Sequence, residues 1–253
     1  MRNAVVIALV AAGTLLAQGP RGGRMGFGGP GPEMGARSLM HGATVTGAPF
    51  SAVEVTVHQQ TLANGNVIQR QEQVNLFRDS QGRVREETTW AGNGQGSRTM
   101  VTIVDPVAQV VRRVNPQAKT VSEMAMRQPP AGTHSAGTAR GPALREASAD
   151  VVKEDLGTQT LNGAAAAGTR MTRTIPAGAM GNAQPIQVVR ETWVSSDLKV
   201  PVMIKTSDPR FGTTVTQLTN LTRTEPDASL FQAPADYTVT SGHGMGFGAR
   251  QAQ

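Results

Sequence analysis

Between Phe50 and Leu62 the side chains change character at every step: Val53, Val55 and Val57 alternate with Glu54, Thr56 and His58. A period of two puts one set on each face of an extended chain, and no helix can use it. Asn64-Gly65 follows, the dipeptide favoured by two-residue hairpins, whose turn positions both take positive φ. The same logic predicts strands over Val67–Arg78, Val84–Trp90, Thr99–Val104, Ala108–Val114 and Thr120–Met126. Turns separate them at Asp79 to Gly82, Asp105-Pro106 and Asn115-Pro116. With 26 Val and 27 Thr against 13 Leu, the composition favours the same choice.

Residues 127–148 read as a loop insertion, rich in Gly, Pro and Ala. Beyond it, Leu144 to Leu156 fits either a helix, with Leu144, Ala147 and Val151 at helical spacing, or a strand. Strands resume at Val151-Val152, Leu161, Arg170–Ile175 and Ile186–Val194. Leu198 to Thr206 places Leu198, Val200, Val202 and Ile204 on one face, with Pro201 marking an edge or bulge. Thr213–Thr224 is the last long strand, and Glu225 to Phe231 reads as one helical turn. The expected fold is mainly β. Its antiparallel meander curls into an incomplete barrel, because closure removes exposed strand edges.

The ends are different. Arg2, an apolar run from Ala4 to Ala12 and the small Ala17 fit a secretory signal over 1–17. The run is too short for a membrane span of about 20 residues, and no later stretch is long and apolar enough, so no transmembrane segment is expected. Segments 18–45 and 241–253 hold 13 of the 29 Gly and lack apolar periodicity, so they read as a disordered linker and a disordered tail. That leaves 46–240 as a single β-rich domain.

Several chemistries lose their residues at once. With no Cys, disulfides, thiol catalysis and Cys-held metals drop out. Gly26 to Gly31 spells G-x-G-x-x-G but contains Pro30 and lacks a flanking strand and helix, so it is chance low complexity. No G-x-S-x-G elbow exists, and His41, His58, His134 and His243 read as solvated. The carboxylate pairs Glu86-Glu87 and Glu154-Asp155 are adjacent in strands and point to opposite faces. Met25, Met34, Met40, His41, His243 and Met245 are irregularly spaced, too poorly organised for a copper site. No catalysis, metal or cofactor is expected. The formal charge is +6, carried by 20 Arg and 4 Lys that are scattered without interleaved aromatics. Nucleic acid is therefore not an expected partner.

The words Glu154-Asp155-Leu156-Gly157, Gly168-Thr169-Arg170, Ile175-Pro176, Glu191-Thr192-Trp193, Ser196-Asp197-Leu198, Ser207-Asp208-Pro209-Arg210 and Leu230 to Tyr237 resemble a group of exported bacterial proteins common in Acidobacteria-like genomes. Over about 50–240 that group is similar in topology to the LolA/LolB type of periplasmic lipoprotein carriers. The resemblance implies a periplasmic or secreted half-barrel whose concave face holds acyl chains under a helical lid. Where lid helices would stand, 127–148 is rich in Gly and Pro. The expected function is non-enzymatic binding of a lipid or acylated protein. Val53, Val55, Val57, Leu198, Val200, Val202 and Ile204 are expected to share one interior and to line the ligand face. The alternative is a structural or interaction module with a packed core that binds anionic envelope polymers.

Overall fold

The computed structural model describes residues 43–90, 96–126 and 150–241. The expected signal, most of the linker and tail, the loop insertion and the Met/His positions of both ends lie outside them.

Among the described residues twelve strands follow in order: β1 Phe50–Thr61, β2 Val67–Arg78, β3 Val84–Trp90, β4 Arg98–Asp105, β5 Val110–Asn115, β6 Thr120–Ala125, β7 Asp150–Leu161, β8 Ala164–Ile175, β9 Ile186–Ser195, β10 Pro201–Asp208, β11 Gly212–Thr222 and β12 Thr238–Ser241. They form one sheet ordered β12-β6-β5-β4-β3-β2-β1-β11-β10-β9-β8-β7. Every neighbouring pair is antiparallel except β12 with β6. Two meanders therefore meet where β1 pairs with both β2 and β11. The sheet does not close, and β7 and β12 are its edges. The mainly β, incompletely curled expectation is what the chain adopts.

The turns show why. At Asn64-Gly65 only Gly65 takes positive φ, at 80°. Gly65 N–H donates to Leu62 O and Leu62 N–H to Asn66 O, so the loop has three residues rather than the expected two. Asp79 to Gly82 repeats the arrangement, with Gly82 at φ 82°. The two-residue turn belongs to Asn162-Gly163 between β7 and β8, where both residues have positive φ.

Residues 150–156, left open between helix and strand, belong to β7. β8 begins at Ala164, six residues before the expected start at Arg170, through a run of Ala and Gly that favours strands poorly. Tertiary packing decides it. The Trp193 ring lies across Gly168, where a Cβ would meet ring atoms at 2.5 Å. Ala164 and Ala166 are fully buried in the same cluster as Trp193.

The larger core gathers Phe50, Ala52, Val74, Leu76, Trp193, Leu198, Val200, Val202 and Leu218. A second core joins Val101, Ile103, Val114 and Val121 to Phe231. Phe231 ends a single 3-10 turn at Ala228–Phe231, capped by Asp227, whose carboxylate accepts from Ser229 N–H at 2.8 Å. Arg85 ties this segment down by donating to Leu230 O at 2.7 Å.

Candidate ligand-binding face

β1 decides which residues are available. Its better-buried face carries Phe50, Ala52 and Glu54, whereas Val53, Val55 and Val57 are only half-buried. β11 behaves in the same way: Thr214, Thr216 and Leu218 are buried and Val215 is half-buried. Hydropathy alone assigns these faces the other way round. Polar side chains tolerate the inner positions because they find partners across the ladder. The Thr56 and Thr216 hydroxyls lie 3.0 Å apart, and His58 Nδ1 is 3.0 Å from Thr214 Oγ1.

The expected interior of seven residues therefore divides. Opposed residues in an antiparallel ladder share a face, and the row Thr56, Thr216, Ile204 runs from β1 to β10. Ile204 thus lies on the face opposite Val53, Val55 and Val57. Leu198 and Val200 precede β10 in a turn, where Lys199 has φ 55°. A register shift between Pro201 and Met203 then breaks the alternation. This turn and bulge are why the four do not form one strand face as the spacing predicts. Leu198, Val200, Val202 and Ile204 are all buried, at 3% exposure or less. They are packing residues.

The valine face continues into a different environment. One cross-strand row reads Val57, Val215, Lys205, Glu191, Arg170, Glu154, crossing from β1 through β11, β10, β9 and β8 to β7. Around its charged end opens a groove of about 430 Å³ lined by Glu154, Arg170, Thr172, Val189, Glu191, Lys205 and Ser207. A second hollow of about 570 Å³ shares Lys205 and Ser207 and extends to Gln59, Arg210 and Thr213.

The charges are unequally engaged. Arg170 donates from Nε and Nη2 to Glu191 Oε1 at 3.0 and 2.8 Å, and from Nη1 to Glu154 Oε2 at 3.4 Å. Hydrogen bonding to Glu191 raises the Arg170 pKa above its ordinary value. Arg210 holds Asp208 below its ordinary carboxylate range through its side-chain bonds, at 2.6 and 2.9 Å. The Lys205 side chain is exposed and has no hydrogen bond or ion pair among the described residues. Residue typing could not have found this group. Successive members lie 14 to 21 residues apart in sequence, and only the register assembles them.

Away from the groove, Arg78 is a fully buried cation. It donates to Ala48 O at 2.9 and 2.7 Å and to Leu198 O at 2.6 Å, above the Phe50 ring at 4.9 Å. Burial pushes its pKa down to about 10. It pins the turn before β10 to the start of β1. Among the described residues no group of three His, Cys, Asp or Glu is placed to hold a metal ion, and no helix is long and apolar enough to cross a membrane.

No family model matches the chain, and no curated protein does either. Solved structures give distant likenesses. A chain of the Pseudomonas aeruginosa MucA/MucB complex superposes at TM-score 0.41 and 14% identity, over 80% of this chain and 60% of that one. A LolA superfamily protein from Nitrosomonas europaea gives 0.32 and 10%, over 78% and 97%. The Mycobacterium tuberculosis lipoprotein LppX gives 0.30 and 14%, over 71% and 90%. This chain spans about three fifths of the MucA/MucB-complex chain.

Proposed function

We propose that this chain is an exported, non-enzymatic binding protein that holds a lipid or acyl group along Val53, Val55 and Val57. One observation carries the reading. Three alternating valines of the central strand are half-buried, and their face runs through Val215 straight into a polar groove. An apolar strip that ends in charges matches the shape of an amphiphile. Covering the valines returns roughly 25 cal/mol for each Å² of apolar surface removed from water. Leu198, Val200, Val202 and Ile204 support the sheet from within and do not touch the ligand. The apolar run and small residue of the first 17 positions supply the export address.

Titration with a fluorescent fatty acid tests the proposal. Saturable binding that weakens at least tenfold in Val57→Asp is expected. Wild-type protein that binds no more dye than an unrelated β-protein would overturn it.

A further inference from the structure

We propose that the groove at Lys205 is a head-group subsite, and that it selects a zwitterionic head carrying a phosphate and a primary ammonium. This inference rests on the acyl-binding reading above and specifies the other end of the same ligand.

Among the described residues the groove offers one unpaired cation, Lys205, and one carboxylate oxygen without a partner, Glu191 Oε2. Glu191 spends only Oε1 on Arg170, at 3.0 and 2.8 Å, which leaves Oε2 to accept a new donor. Arg170 is held between Glu191 and Glu154, so it cannot take an anion without surrendering one of those partners. The anion receptor is therefore Lys205, directly opposite Glu191 in the β9–β10 ladder. Opposed Cβ atoms in such a ladder lie about 5 Å apart. An anion on Lys205 Nζ and a cation on Glu191 Oε2 then sit one strand apart, a spacing that a two-carbon link between phosphate and ammonium can bridge.

Net charge points the same way. Glu154, Arg170 and Glu191 together carry one surplus negative charge, and Lys205 carries one positive charge. A simple anion would face Glu191, and a simple cation would face Lys205. A dipolar head meets a partner at both ends. Thr172 and Ser207 line the same groove, and their hydroxyls can donate to phosphate oxygens. Val215 and Val57 come next in the row beyond Lys205, so an acyl chain leaving the phosphate runs onto the valine strip.

The test uses four soluble probes on the full chain by isothermal titration. Three share one acyl chain: a lysophosphatidylethanolamine, a lysophosphatidylglycerol and the uncharged monoacylglycerol. The fourth is phosphoethanolamine alone. The expected order is lysophosphatidylethanolamine tightest, about tenfold ahead of monoacylglycerol, a difference of about 1.4 kcal/mol. Lys205→Ala should bring that ratio to near one. Glu191→Gln should remove the preference for the zwitterionic over the anionic lyso-lipid. Among the described residues the Lys205 side chain has no partner to lose, so its variant stays informative even where Glu191→Gln disturbs Arg170. Equal binding of the three acyl probes, or a ratio untouched in Lys205→Ala, overturns the head-group subsite and leaves the acyl reading standing. Phosphoethanolamine binding as tightly as its lyso-lipid overturns the lipid assignment in favour of a free small molecule. No binding of any acyl probe overturns both.

Discussion

One face of the sheet is used in two ways. Register places Val53, Glu87, Val101, Val114 and Val121 in a single row, on the same side as Val57, Lys205, Glu191 and Arg170. Over β4 to β6 the chain covers this face with its own C-terminal segment, and Phe231 is buried to 1% exposure. Over β7 to β10 the same face carries the charged groove. The difference follows from side chains rather than topology. Val101, Ile103, Val114 and Val121 give an apolar bed that a phenyl ring can seal, whereas Glu154, Arg170, Glu191 and Lys205 would lose hydration under such a cover. Among the described residues Phe231 covers this face over β4 to β6, Trp193, Ala164 and Ala166 pack on part of it over β8 and β9, and the charged groove stays open. On the proposed reading this separates stability from binding.

Substitutions can break that separation, and the largest effect is expected at the buried start of β10. Val202→Asp buries an unpaired charge at a position 1% exposed and should prevent folding, which circular dichroism will report. Phe231→Ala opens a cavity in the covered half and should cost about 3–5 kcal/mol in urea unfolding, while saturable dye binding persists. Gly168→Ala drives a methyl group into the Trp193 ring and should cost about 1–3 kcal/mol by overpacking. Val55→Asp is the mildest for the fold, about 1 kcal/mol at a half-buried site, yet it should abolish acyl binding. If Val55→Asp instead unfolds the protein as Val202→Asp does, the valine strip is core and the contrast between the two halves fails.

Much of the sheet can be read from the chain. The strands from Phe50 to Ala125 announce themselves by alternation and by punctuation at Gly82, Pro106 and Pro116. β7 and the start of β8 are harder, because Ala164 to Gly168 owes its extended form to Trp193 rather than to its own propensity. A local signal did exist there in Asn162-Gly163. The orientation of β1 was not legible at all. Three valines facing three polar residues imply that the valines go inward, yet Glu54 is the buried one while Val53, Val55, Val57, Thr56 and His58 are all half-buried, Thr56 and His58 having hydroxyl partners 160 and 156 residues away. The groove was hidden for a related reason. Glu154 is conspicuous in sequence beside Asp155, but its working neighbours are Arg170 and, two strands further on, Lys205.

The central claim, that the half-buried valine strip holds an acyl chain, is tested most directly by native mass spectrometry of protein purified from its own host's cell envelope. The expected result is a population heavier than the polypeptide by the mass of an acyl lipid, released on denaturation and missing from folded Val55→Asp. Bare polypeptide from the wild type, or the same adduct on the variant, would contradict it.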